Sequence, residues 1–241
     1  MRRGILSRRE RVESRQRFRR WSFSPPVVAL RRLADQLLHR PLLNLYVSLD
    51  VQGLDKLTGV SGPVLFIANH TSYLDQPCVM NALPPAWRYR TATAAWAEFF
   101  FVNFRTPAQH LWKRLTYEYT TTFMGVFPLP QSTGFRRSLQ HMGWLADHGI
   151  SSLVFPEGER TQNGQLLPFQ QGLGIIVREL GVPVVPVRIA GLERVLPRDA
   201  RWPKRGRVTV TFGAPLLFPG TAAPEMIVSR CRQAISELPH G

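Results

Sequence analysis

The sequence predicts an α/β fold, a single domain with a mixed central sheet flanked by helices, preceded by a basic arm and an amphipathic N-terminal helix. Three observations lead there. Short apolar runs of strand length, such as Pro63 to Ala68, Ile150 to Phe155 and Val182 to Ile189, alternate with longer stretches of helical spacing. A chain of 241 residues suits one large domain with an ample core plus an appendage. The formal charge of +15 is concentrated ahead of Trp21, which marks the appendage off.

Residues 1–26 are the expected arm, disordered or lying on a membrane surface, and 27–241 the folded domain with its N-terminal amphipathic helix. Arg2, Arg3, Arg8, Arg9, Arg11, Arg15, Arg17, Arg19 and Arg20 face only Glu10 and Glu13. Such a segment seeks an anionic surface, and charge alone does not separate lipid from nucleic acid or from a solvated tail. Val27 to Leu43 is apolar but punctuated by Arg31, Arg32, Asp35 and Arg40, a helix suited to a membrane interface or equally to a core. No run reaches the roughly 18 apolar residues of a spanning helix. The closest, Ala92 to Phe104, is broken by Glu98 and Asn103. Arginines extending through Arg20 argue against a signal peptide. Cys78 and Cys231 have neither metal-ligand spacing nor a disulfide framework and fit a reducing compartment. The expectation is a membrane-associated protein on the cytoplasmic face that does not span.

Along the domain, Tyr46 to Gln52 reads as a strand, Gly53 to Gly62 as a turn, and Pro63 to Ala68 as a buried strand. A helix from Leu74 to Leu83 ends at Pro84-Pro85, and Trp87 to Thr93 is read as a strand. Phe99 to Phe101, Phe104, His110, Trp112, Tyr117 and Tyr119 form a dense aromatic segment, read as core, with an interface belt or acyl tunnel as the alternative. Thr122 to Pro130 is a strand with its exit loop. Phe135, Leu139, Met142 and Leu145 give Thr133 to His148 helical spacing. Ile150 to Phe155 is a strand that opens into the loop Pro156 to Thr161. Gly181 closes a helix from Gly172, Val182 to Ile189 and Arg207 to Phe212 are strands, and Pro224 to Leu238 is a terminal helix.

The most informative residues are His70 and Asp75 in Ala-Asn-His70-Thr-Ser-Tyr-Leu-Asp75-Gln-Pro. His70 falls where a strand ends and Asp75 near a helix start. There a carboxylate is favoured by exposed amides and reaches back to one imidazole nitrogen, leaving the other to take a substrate proton. The plain alternative is a helix cap beside a surface histidine. A second cluster, Phe155-Pro-Glu157-Gly158-Glu-Arg160-Thr161, puts charge at the end of a strand, where α/β sheets bind ligands.

Together, His-four-residues-Asp, the Gly125 block, Phe-Pro-Glu-Gly-x-Arg and Val182-Pro-Val-Val-Pro resemble the glycerolipid acyltransferase family, which includes 1-acylglycerol-3-phosphate acyltransferases. The likeness runs from about Leu54 to Leu216. The resemblance implies that His70 is a general base oriented by Asp75, activating a lipid hydroxyl to attack the thioester of acyl-CoA or acyl carrier protein. It assigns Glu157, Gly158 and Arg160 to acceptor binding, and Pro183 and Pro186 to the acyl site, although prolines of an edge strand read as well. No cofactor or metal is implied, the acyl donor being a co-substrate.

Two departures stand out. Gln131 occupies the place of the arginine six residues after the glycine of the second block, and Phe169-Gln170-Gln171-Gly172 replaces Phe-Lys-Lys-Gly. Neutral amides hydrogen-bond but do not neutralise a phosphate. Arg136 or Arg137 is the compensating candidate. Three readings remain open on these residues: an acyltransferase for a lysophospholipid, one for an acceptor other than a phosphate monoester, and a catalytically idle lipid-binding relative. A nucleic-acid-binding protein would explain the charge, but no recognition module is present and no nucleic acid partner is expected.

Overall fold

Alternation of side chains builds the centre of the molecule. In β2 (Leu65–Ala68), Leu65 and Ile67 point into one core and Phe66 and Ala68 into the other, and all four are fully buried. The computed structural model describes residues 18–97, 106–130, 135–161 and 164–239. The remaining strands are β1 (Val47–Gln52), β3 (Thr91–Trp96), β4 (Val126–Leu129), β5 (Ser151–Val154), β6 (Val184–Ala190) and β7 (Gly206–Phe212). They form one sheet in the order β1-β7-β6-β2-β5-β3-β4, parallel throughout except between β6 and β7. The mixed sheet flanked by helices is therefore as the sequence predicts.

Helices cover both faces. On the Phe66 face lie α2 (Arg40–Tyr46), α3 (Asp75–Ala82), α4 (Pro85–Arg88) and α8 (Leu192–Val195). On the Leu65 face lie α6 (Phe135–Asp147), α7 (Gly172–Leu180) and α9 (Pro224–Ser236). Gly174 lets α7 approach α9 closely, for a Cβ there would sit 2.3 Å from the Pro224 carbonyl oxygen. Cys78 and Cys231 are free and buried, one in each core.

The N-terminal helical segment is continuous: α1 (Pro25–Ala34), a π-helical turn (Asp35–His39) and α2. Its leucines and one of its arginines take unequal places. Leu30, Leu33, Leu37, Leu38, Leu42 and Leu45 are exposed, whereas Arg31 is buried. Its guanidinium donates to the carbonyls of Thr122 (2.9 Å), Ser22 (2.8 Å) and Thr121 (3.3 Å), and burial lowers its pKa to about 10. Arg31 thus bolts α1 to the end of α5 (Pro107–Met124), whose last carbonyls lack intrahelical partners. The part of the expected arm that is described, residues 18–26, also packs on the domain: Phe18 lies on His141, Arg19 pairs with Glu118, and Ser22 is buried. Residues 1–17, the rest of that arm, lie outside the described residues.

Three expectations are corrected. Trp87 to Thr93 is not one strand, because Pro84-Pro85 starts α4 and Arg88 turns back to cap α3, donating to the carbonyls of Met80, Asn81 and Leu83. The strand begins at Thr91. The aromatic segment contains a long helix, α5, capped by the Thr106 hydroxyl and ended by Gly125 at φ 65°. Trp112 is exposed on it and only Tyr117 is buried, while Phe99 to Phe104 lie outside the described residues. Pro186 sits in a central strand rather than an edge. Its carbonyl accepts from Gly213 N–H at 2.7 Å, so its missing N–H faces the point where β7 leaves the ladder.

Candidate active site

Register brings the two sequence motifs together. β2 and β5 are parallel neighbours with Ile67 opposite Val154, and His70 and Glu157 each lie three residues beyond that pair. Both loops therefore leave the same edge of the sheet side by side. The His70 backbone N–H donates to Glu157 Oε1 at 2.7 Å, and Thr161 N–H donates to the His70 carbonyl at 2.9 Å. Asn69 locks the other side, exchanging two hydrogen bonds with the Ile189 backbone of β6 at 2.9 and 2.8 Å.

The His70 side chain is stacked on Phe155, ring centroids 4.6 Å apart, and its Nδ1 lies 2.7 Å from Asp75 Oδ2. Asp75 is fully buried at the first position of α3. Its carboxylate also accepts from Thr71 N–H (2.6 Å), Thr71 Oγ1 (2.9 Å) and Ser72 N–H (2.8 Å). A buried carboxylate is tolerable only when saturated with donors in this way. With Nδ1 held by Asp75, the imidazole presents Nε2 as its proton acceptor. The arrangement suits general-base chemistry at a ring that keeps partial solvent access, its side chain 24% exposed.

The Glu157 loop divides its labour. Glu157 is buried, and its second oxygen accepts from Leu167 N–H at 2.8 Å. Burial raises its pKa, and the hydrogen bonds from Leu167 and His70 pull it back. Each of its two oxygens accepts from a backbone amide, so Glu157 staples the His70 loop to the segment around Leu167. Gly158 adopts φ 74°, the tight left-handed turn expected of it. Arg160 reaches outward and places its guanidinium carbon 3.7 Å from the centroid of the Tyr73 ring.

The other candidates are placed as follows. Gln170 lies on the same loop, its side chain donating to the Glu157 carbonyl at 3.4 Å. Arg136 is exposed on α6, and no hydrogen bond or ion pair among the described residues joins it to the Glu157 loop. Gln131 lies outside the described residues. Pro183 flanks β2, accepting from Leu65 N–H at 2.9 Å, and Pro186 pairs with Ile67. Sequence reading misses the roles of Asn69, Thr71 and Ser72, which fix the His70 corner; their signal is small polar side chains packed around a strand end.

On the far side of α3 lies a cavity of about 370 Å³. Leu74, Gln76 and Met80 line it from the α3 side, Leu42 and Tyr46 from α2, and Phe123 from α5. Leu74 and Gln76 flank Asp75, so the cavity adjoins the segment that holds the pair. Among the described residues no helix is long and apolar enough to cross a membrane.

The fold resembles the crystal structure of the 1-acyl-sn-glycerophosphate acyltransferase PlsC from Thermotoga maritima, with a TM-score of 0.62 and 18% identity over 93% of this chain and 83% of that one. Among curated proteins, the chain is 27% identical over 191 residues to the chloroplastic 1-acyl-sn-glycerol-3-phosphate acyltransferase BAT2 of Brassica napus, covering 78% of this chain and 50% of the relative. It is 26% identical over 182 residues to human 1-acyl-sn-glycerol-3-phosphate acyltransferase beta, covering 72% and 58%. The chain thus spans about half the length of these relatives. The Acyltransferase family model matches residues 48–190, more than half of the chain and all of the His70 and Glu157 loops. With both motifs inside that match and joined at one sheet edge, the chain belongs to the acyltransferase family.

Proposed function

We propose that this protein transfers a fatty acyl group from a thioester, acyl-CoA or acyl carrier protein, to the hydroxyl of a lysophospholipid such as 1-acylglycerol-3-phosphate. The observation that carries this reading is the 2.7 Å contact between His70 Nδ1 and a fully buried, donor-saturated Asp75. His70 Nε2 takes the acceptor's hydroxyl proton as the oxygen attacks the thioester carbonyl. The tetrahedral intermediate collapses with cleavage of the C–S bond, and the imidazolium returns the proton to the leaving thiolate. Asp75 holds the ring orientation and stabilises the transient imidazolium. The cavity beside α3 suits an acyl chain, being lined largely by apolar side chains and adjoining Leu74 and Gln76, which flank Asp75. The relatives, named as 1-acyl-sn-glycerol-3-phosphate acyltransferases, support the acceptor class.

On this reading the reaction runs at an anionic membrane surface. The exposed leucines of the N-terminal segment and Leu111, Trp112 and Leu115 of α5, which packs against α1, make an apolar surface that water does not favour. The test incubates the purified full chain with labelled acyl-CoA or acyl carrier protein and a panel of lysolipids, beside His70→Ala. Transfer by the wild type and its loss in the variant support the reading. Equal turnover by both overturns the base assignment.

A further inference from the structure

We propose that Arg198 supplies the second cation of the acceptor site, so that a phosphate monoester is gripped between Arg160 and Arg198 beside His70. The proposal rests on the acyl-transfer reading above and deepens it. By sequence the site is short of positive charge, because Gln170 and Gln171 stand where cations are expected. The side chain of Gln170 is spent on the Glu157 carbonyl.

The missing charge arrives from another part of the chain. After α8, the segment Leu196 to Arg198 folds over the residues that follow His70, and Ser72 Oγ donates to the Leu196 carbonyl at 3.1 Å. This docking delivers Arg198, whose Nη1 donates to the backbone carbonyl of Arg160 at 2.9 Å. Arg160 is in turn stacked on Tyr73, three residues beyond His70. Tyr73, Arg160 and Arg198, distant in sequence, thus form one cluster at the edge of the candidate site.

The charge balance of this cluster is unfilled. Among the described residues, no carboxylate lies within ion-pair distance of either guanidinium, and both arginines are half-buried. Two cations carried by one loop and the segment docked on it add their fields, and an anion bound near both is favoured. A guanidinium carries more N–H donors than one carbonyl bond or one ring stack consumes, and its planar fork matches phosphate oxygens in pairs. The Tyr73 stack and the carbonyl bond hold the two forks in place before the ligand arrives. A doubly charged monoester gains most from two such cations, a diester less, and a neutral glycerolipid least.

The test uses the full chain, with Arg198→Gln and Arg198→Lys. Binding of lysophosphatidate and of monoacylglycerol, each below its aggregation limit, is measured by calorimetry without acyl donor. Melting temperature is recorded for each variant. Kinetic runs with acyl-CoA then separate KM from kcat for each substrate. Arg198→Gln is expected to weaken lysophosphatidate binding on the order of tenfold to a hundredfold and to cut the preference over monoacylglycerol correspondingly, with Arg198→Lys restoring part of it. Lysophosphatidate affinity unchanged in both variants overturns the assignment, whatever the turnover. A loss that falls on the KM for acyl-CoA instead also overturns it, the cluster then serving the donor's phosphates. Arg198-dependent binding by a wild type that transfers no acyl group supports the clamp and removes only the acyl-transfer reading.

Discussion

The His70 corner and the N-terminal helical segment both bury charge, but by opposite means. Asp75 is buried by its own neighbours: Thr71, Ser72 and His70, all within five residues, supply its donors. Arg31 is buried by the Ser22 carbonyl, nine residues away, and by those of Thr121 and Thr122, about ninety residues away. Local satisfaction makes the Asp75 carboxylate self-contained, although the His70 backbone is held from Glu157. Distant satisfaction turns an arginine inward and leaves a row of leucines facing out. The contrast teaches that a site can be legible as a short motif while the surface that delivers substrate to it is legible only after folding.

The comparison breaks first at His70. His70→Ala should lower kcat by about 10²- to 10⁴-fold with little change in melting temperature, because the ring is partly exposed and fills no core; a steady-state assay beside a melting curve checks both. Asp75→Ala should cost activity and stability together, about 2–4 kcal/mol in denaturant unfolding, since it strands the N–H groups of Thr71 and Ser72. If the corner is as self-contained as its contacts suggest, that loss leaves the N-terminal contacts unchanged by hydrogen exchange.

On the other side of the comparison, His141 reports the N-terminal packing. It lies among Phe18, Phe127 and Trp144, and burial, helped by the charge of Arg20, lowers its pKa to about 4. The folded state holds it neutral, while the unfolded chain protonates it below its ordinary pKa of 6.5. Its contribution is therefore intact above pH 6.5 and is lost as pH falls toward 4, on the order of 3 kcal/mol across the window. His141→Phe should flatten that part of the stability-versus-pH curve. The smallest effect on the fold is expected at the leucine row. Leu37→Ser with Leu42→Ser should leave the melting temperature nearly unchanged and reduce binding to anionic vesicles by roughly tenfold in a sedimentation assay. Unchanged vesicle binding would separate the row from membrane docking.

Particular elements explain what is readable in the chain. α7 matches its expected span from Gly172 to Gly181, because its apolar periodicity and its αL glycine are both local signals. β2 and β5 are clear as apolar runs bounded by turn residues. α5 is hidden because Leu111, Trp112 and Leu115 face outward, so its pattern is that of an interface helix rather than a core helix. α4 reads as strand because Trp87 to Thr93 is rich in strand formers, and the cap that Arg88 gives to α3 outweighs that propensity. Glu157 is recognisable as part of the site but not as a staple, since its partners, the amides of His70 and Leu167, come together only in the sheet.

The α/β class and the His70–Asp75 pair are legible in the chain, because alternation, caps and a five-residue spacing are properties of a short length of sequence. That Glu157 holds the His70 backbone, that Arg31 turns inward and that Arg198 bonds the Arg160 carbonyl emerges only on folding. The reason is physical: these contacts depend on which strands pair and in what register, and one register, Ile67 against Val154, brings the two distant loops to the same edge.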